Sequence, residues 1–229
     1  MKKKIIVTGC SGGIGSYVAN ELIKLDYEVY GLSRNQPRSS SNFNFVECDV
    51  SNPDSVKKVF SIFRRDTNVY GLINIAGIAS MNLLISTPNE TIKKIIETNL
   101  LGTIYCTKAI IPSLIRSKIG RIINFSSLAV NIGLKGESPY VASKGGVEAF
   151  SRSIARELSS SNITVNTISP GPIKTKLTEG VPISLVDKVI GNQIYEDQCS
   201  ILDIYNCIKM ILNKESQKIT GQLFNIGGY

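Results

Sequence analysis

Tyr140 and Lys144 stand four residues apart in a stretch of helical period, which puts both side chains on one helix face. Ser127 lies upstream of them, just after the apolar, β-branched run at 121–125. A phenol ordinarily titrates near pH ~10, and an adjacent ammonium would bring it toward working pH as a general acid and base. A serine hydroxyl beside the pair could hold and polarise a carbonyl oxygen. The chain contains no histidine, which excludes Ser-His-Asp and Cys-His mechanisms and any zinc site that needs imidazole. A lone Tyr-x-x-x-Lys is more often an ordinary helix pair than a catalytic one. Its weight here comes from its surroundings.

The first of these is the run Thr8-Gly9-Cys10-Ser11-Gly12-Gly13-Ile14-Gly15. It leaves a short β-branched run at 4–7 and opens a segment in which Ile14, Val18, Leu22 and Leu25 recur at helical spacing. Such a turn offers unpaired amides and the positive end of a helix dipole to a pyrophosphate. Gly9, Gly13 and Gly15 permit close backbone approach, with Ser11 and Ile14 in the same cradle. The glycine spacing alone also occurs in plain tight turns; its place between a strand and a helix favours a dinucleotide site. The second apolar run, 28–32, leads into Ser33-Arg34-Asn35 and offers no carboxylate for a ribose 2′-hydroxyl. A guanidinium there suits a 2′-phosphate, so NADP is favoured and NAD is possible. The plainer alternative is that Arg34 is a solvated loop residue.

Positioning these groups requires a framework, and the pattern supplies one. Strand-like runs at 4–7, 28–32, 44–48, 72–75, 121–125, 163–168 and 222–226 alternate with helical stripes at 14–25, 56–63, 91–119 (in two parts around Gly102), 140–160 and 202–212. That alternation predicts an α/β fold, a single-domain Rossmann-type doubly wound parallel sheet with helices on both faces, over 1–229. The connection at 37–44 is too short for a full crossover helix and predicts a loop or single turn. With 42% hydrophobic residues the chain is neither disordered nor collagen-like. The most apolar long stretch, 100–119, carries Lys108, Pro112 and Arg116, and Lys2 to Lys4 precede only three apolar residues. The chain therefore reads as soluble, cytoplasmic and without a membrane span or signal peptide. Five cysteines without a CxxC pair fit reduced thiols and no metal site. The net charge of +8 admits an acidic partner, but the basic residues are dispersed, which argues against nucleic acid.

Taken together, these motifs resemble the classical short-chain dehydrogenase/reductase family over nearly the whole chain. Thr8-Gly9-x-x-x-Gly13-Ile14-Gly15 matches its cofactor loop, and Asp49-Val50 its adenine contact. Asn74-Ile75-Ala76-Gly77 stands at its Asn-Asn-Ala-Gly turn, which stabilises the sheet near the cofactor. Asn99, Ser127, Tyr140 and Lys144 match its catalytic tetrad. The segment Ser169-Pro170-Gly171-Pro172-Ile173-x-Thr175 matches its nicotinamide and phosphate contacts. The resemblance implies hydride transfer between nicotinamide and a carbonyl or alcohol carbon. Tyr140 would be proton donor in reduction and Ser127 would position the substrate oxygen. Lys144 would lower the phenol pKa and bind the nicotinamide ribose, and Asn99 would hold a water in a relay to Lys144.

The chain also departs from the family pattern. Gly12 replaces a basic residue common in NADP-preferring members, which leaves Arg34, with Arg38, for the 2′-phosphate. Ile75 replaces the second Asn of the turn, and 194–203 replaces a Gly/Pro/Arg-rich turn. The nearest subgroup is the 3-oxoacyl-[acyl-carrier-protein] reductases, whose acidic carrier would suit the positive charge, with Lys118 at a basic docking position and Ser161 where a second is common. A small-molecule or carrier-bound carbonyl substrate is expected, lined by residues in 133–139 and 173–183. The alternatives are a reductase of a sugar or other small secondary alcohol, and a cofactor-binding regulatory protein without turnover. A homo-oligomer, dimer or tetramer, is implied by the family alone.

Overall fold

In the strand Lys4–Thr8 (β1), Ile5 and Val7 face one side and Ile6 the other, and all three are fully buried. Burial of both faces at period two is what a central parallel strand requires, with a helix layer on each side. The computed structural model describes residues 1–37, 42–173 and 183–229 and contains that sheet. The strands are β1, β2 (Glu28–Ser33), β3 (Asn44–Glu47), β4 (Val69–Asn74), β5 (Gly120–Phe125), β6 (Ile163–Pro170) and β7 (Leu223–Ile226). They pair in parallel in the spatial order β3-β2-β1-β4-β5-β6-β7. The direction of winding reverses between β1 and β4, which opens a crevice at the carboxyl ends of the strands.

The helices are α1 (Gly13–Lys24), α2 (Pro53–Phe60), α3 (Asn89–Ile96), α4 (Gly102–Ser117), α5 (Ala129–Ile132), α6 (Ser138–Glu157), α7 (Ile183–Ile190) and α8 (Ile201–Leu212). Residues of α1 and α8 pack with Ile5 and Val7 on one face. Residues of α2, α4 and α6 pack with Ile6 on the other. Local chemistry sets several of the helix ends. Asn52 accepts from the Asp54 and Ser55 amides ahead of Pro53, and Ser200 with Asp203 forms a capping box at α8. No described helix is long and apolar enough to cross a membrane.

The helical run at 91–119 differs from expectation in one respect. Gly102 is no break: a side chain there would meet Val50 at 2.9 Å, so the glycine serves a close approach. The irregularity lies just before it, where α3 and α4 are joined through a π turn over Glu97–Leu101 that contains Asn99. The described residues between β2 and β3 form no helix, as the short connection predicts; 38–41 lie outside the described residues. The helix α5, at 4 residues, is too short to stand out by period.

Asn74 and Asn124 are register partners at the carboxyl ends of β4 and β5. Asn74 Nδ2 donates to Asn124 Oδ1 at 2.8 Å and Thr107 Oγ1 at 3.2 Å, tying the sheet to α4. Asn124 Nδ2 donates to Ser151 Oγ at 2.9 Å, tying it to α6. All four residues are buried, so each group depends on the others. Asn124→Leu is expected to destabilise the fold by about 1–3 kcal/mol by stranding its partners. Adding Asn74→Leu should cost less than the two single losses summed; strictly additive urea-denaturation energies would contradict the network.

Candidate active site

Beyond Phe125 the chain leaves β5 and is held to β6 by Ser126 N–H to Ile168 O (2.8 Å) and Leu128 N–H to Pro170 O (3.1 Å). This fixes Ser127, half-buried, at the edge of the crevice, where its Oγ accepts the Ala129 amide at 3.2 Å. Pro139 in the first turn of α6 suits a helix start and brings Tyr140 and Lys144 against the end of β5. Both are buried, and they line one cleft with Ser127. The three residues expected to converge from their spacing do converge.

The electrostatics correct one expectation. Lys144 Nζ donates to the Phe125 carbonyl at 2.8 Å and lies 5.9 Å from the centre of the Tyr140 ring. Burial pushes its pKa down to about 8. The Tyr140 phenol is not lowered but pushed up to about 12. Burial is the main cause; the Ser127 hydroxyl pulls the other way and the Glu137 carboxyl adds to the rise. Among the protein's own groups the phenol therefore keeps its proton at neutral pH.

Asn99 is fully buried and does not line the cleft surface. Its Oδ1 accepts the Ile78 amide (2.8 Å), and its Nδ2 donates to Ile78 O (2.9 Å) and Ser143 Oγ (3.0 Å). The side chain thus braces the loop after β4 against the π turn and α6. A side chain at Gly77 would come 3.3 Å from Asn99 Oδ1 and 3.5 Å from Lys144 Nζ, so the glycine brings all three together.

The cleft continues past Ile14, Ile75 and Gly77 to the amino end of α1. Gly9 has φ +74°, and a side chain there would meet Ala76 N at 2.8 Å; one on Gly15 would collide with Gly9 O. Gly12 caps α1 without a side-chain bond, so the first-turn amides face the cleft unclaimed by a cap. Ser11, Gly13, Ile14 and Gly15 line this end, with Ser33, Arg34, Asp49, Val50, Ala76 and Gly77. Arg34 is exposed at its rim. Ser33 Oγ donates to Asn35 O at 2.7 Å, and Asp49 Oδ1 accepts from Ser51 N and Oγ. An amide-rich cradle, a guanidinium and an apolar wall fit a phosphorylated dinucleotide.

Pro170, Gly171 and Ile173 line the other end, beside Tyr140. Thr175 and Arg38 lie outside the described residues, as do residues 174–182 of the expected substrate wall. Of the stretch 133–139, Leu134 and Glu137 line the cleft; Ser138 and Pro139 do not. Asn74 is turned away into the sheet, as the hydrogen bonds above require. The substitution at Ile75 has not freed its turn, because Thr8 Oγ1 accepts both the Ile75 (3.1 Å) and Ala76 (3.2 Å) amides. Sequence reasoning missed Ile78 and Thr98 at one end and Ala79 and Met81 at the other, while Val186 and Val189 fall in the region 176–192 that the family resemblance places over the substrate. The missed residues are contacts of fold and carry no motif.

Residues 3–183 match the family model of the short chain dehydrogenases. The 3-oxoacyl-[acyl-carrier-protein] reductase of Buchnera aphidicola subsp. Schizaphis graminum is 31% identical over 99% of this chain and 96% of its own. Among solved structures, ligand-free Thermoplasma acidophilum aldohexose dehydrogenase superposes with a TM-score of 0.88 at 30% identity, over 99% of this chain and 93% of that one. ElxO with NADP bound gives a TM-score of 0.87 at 29% identity, over 99% and 97%.

A buried ammonium has a measurable signature. The folded protein lowers the Lys144 pKa to about 8, below its unfolded value, so between about pH 8 and pH ~10.5 the unfolded chain binds more protons. That group's contribution to stability is therefore expected to rise with pH across this window. Lys144→Met should be more stable than wild type at pH 7 in urea denaturation, with the gap closing toward pH ~10. A gap that does not change with pH would contradict the assignment.

Proposed function

The chain belongs to the short chain dehydrogenase family and is an oxidoreductase, and on that premise we propose that it transfers hydride between NADP(H) and a carbonyl or secondary alcohol. A bound nicotinamide supplies or accepts the hydride. Tyr140 gives its proton to the carbonyl oxygen in reduction, and Ser127 holds that oxygen by its hydroxyl. Lys144, held by Phe125, binds the nicotinamide ribose and supports proton return to Tyr140. Asn99 holds a relay water to Lys144, its side chain shaping the turn beside that lysine. Gly9, Ser11, Gly13, Ile14 and Gly15 cradle the pyrophosphate and Arg34 takes the 2′-phosphate. Ser33, Asp49, Val50, Ala76 and Gly77 belong to the adenosine and ribose side, with Asn74 bracing the sheet beneath them, and Pro170, Gly171, Ile173 and Thr175 belong to the nicotinamide side. The single observation that carries this reading is the convergence of Ser127, Tyr140 and Lys144 at the end of β5.

We read the substrate as a 3-oxoacyl thioester, supported by the named full-length relative and the apolar side chains Ala79, Met81, Leu134 and Val189 along the cleft. A small hydroxylated substrate is the second reading, favoured by the likeness to an aldohexose dehydrogenase and by the Glu137 carboxyl in the cleft. A regulatory role without turnover is disfavoured by the four intact tetrad positions. An acidic carrier would dock at the exposed Lys118 end of α4. We place the protein in the cytoplasm, in keeping with its five free cysteines, as a homo-oligomer in which 1–229 act as one domain.

NADPH oxidation with an acetoacetyl thioester against a panel of keto-sugars tests the substrate class. Tyr140→Phe should abolish turnover while binding NADPH as wild type does; retained turnover would remove Tyr140 from the mechanism. Because reduction needs the phenol protonated, its rate should decline and alcohol oxidation rise as pH increases, read from rate profiles in both directions. Fluorescence titration should show NADPH bound more tightly than NADH, and Arg34→Ala should cut that preference by about tenfold. Tighter binding of NADH by the wild type would overturn the assignment of Arg34.

A further inference from the structure

Glu137 precedes the first turn of α6 and is 8% exposed. Its backbone groups are engaged: the amide donates to Leu134 O (3.2 Å) and the carbonyl accepts the Val141 amide (2.8 Å). Its carboxyl makes no capping hydrogen bond and no ion pair among the described residues. Burial raises its pKa, and no donor among the described residues opposes the rise. The other glutamate buried among the described residues, Glu148, shows what a satisfied carboxyl looks like here, since it accepts the Ser126 hydroxyl at 2.5 Å.

Burying a carboxylate without a partner is costly, and such groups are normally paired. Glu137 lines the cleft that holds Tyr140, close enough for its charge to oppose ionisation of the phenol. Its neighbours along that wall, Leu134 and Met81, offer no side-chain N–H or O–H donor. Lys144 is the only cation among the described residues lining this end of the cleft, and it is held by Phe125 O. Among the described residues nothing pairs with this carboxyl, so its oxygens are left to whatever fills the cleft.

We propose that the Glu137 carboxylate is a specificity-determining acceptor for an O–H or N–H group carried by the substrate near its reacting carbon. The proposal rests on the reading that this cleft presents a carbonyl or alcohol to Tyr140. Two substrate types supply such a donor: the hydroxyl beside the carbonyl of a sugar-like compound, and the amide N–H in the arm of an acyl thioester. A site built to bond a donor discriminates strongly against an analogue lacking it, because its own buried group is then left unpaired.

The test uses two pairs of ketones with NADPH: 1-hydroxy-2-butanone against 2-butanone, and acetoacetyl-N-acetylcysteamine against ethyl acetoacetate. Glu137→Met should lower kcat/KM for the donor-bearing member of one pair by roughly ten- to a hundredfold, with little loss on its partner. Glu137→Gln, which keeps an acceptor oxygen, should recover part of the difference. The pair that responds identifies the source of the donor. Equal losses on both members of each pair, or no change in either, would overturn the proposal and leave Glu137 as a charge at a helix start. If wild type reduces none of the four, the proposed activity on these classes fails. Calorimetric binding of the same compounds to Tyr140→Phe, with and without Glu137→Met, then decides Glu137. Donor preference that disappears in the double variant supports it, and absence of preference sinks it.

Discussion

A lysine ammonium buried with no ion pair among the described residues governs the layout of the cleft. Lys144 is 5% exposed, and its recorded hydrogen bond is to one peptide carbonyl, that of Phe125. The charged form is tolerated only if that carbonyl points at it, and this carbonyl lies where β5 runs out at the crevice. Three segments must then agree. The end of β5 supplies the oxygen, α6 supplies the lysine at the right height, and Gly77 passes close beside both, where a side chain would crowd Asn99 Oδ1 at 3.3 Å. Tyr140, one turn earlier on α6, takes its position from the same requirement. Its proton is retained because the enclosure that disfavours the ammonium disfavours a phenolate as well.

Where the strand ladders end, side-chain hydrogen bonds take over the work of holding the crevice edge. Thr8 Oγ1 gathers the Ile75 and Ala76 amides, so β1 and the loop after β4 move as one. Asn74, Asn124 and Ser151 link β4, β5 and α6 below that edge. Asn99 closes the arrangement from the other side by clamping both backbone groups of Ile78. These contacts replace apolar packing in the one region where a ligand must reach the backbone, and they leave little slack between the glycine cradle and the acid–base pair.

Much of this was legible in the sequence, for identifiable reasons. The inner strands, buried on both faces, write largely apolar runs, and the half-exposed edge strands β3 and β7 still carry short apolar stretches, so all seven were placed to within a few residues. The glycine cradle was legible because strand, turn and helix follow one another without interruption. Convergence of Ser127 with Tyr140 and Lys144 follows from a strand end and a helix start, which local pattern locates well. The protonation of Tyr140 was not legible. Spacing shows that an ammonium is near, but burial decides the sign, and burial belongs to the tertiary structure. Likewise Glu137 could be assigned to a cleft wall from its neighbourhood in sequence, yet only the fold shows its carboxyl buried with no partner among the described residues. The π turn leaves no compositional trace, since it differs from an ordinary helical turn in hydrogen bonding rather than in residue preference.

That π turn constrains the chain in a way no substitution would reveal. The helical path from Asn89 to Ser117 passes through it without a break, so the two halves are phased against each other by the number of residues between them. Each residue turns an α-helix by about 100°. Removing one residue from Glu97–Leu101 would restore regular helical bonding there, yet rotate α3 away from α6 or swing Asn99 off Ile78. What is fixed at this point is a count of residues, and drift in chain length would damage the cleft while every residue that lines it stayed unchanged.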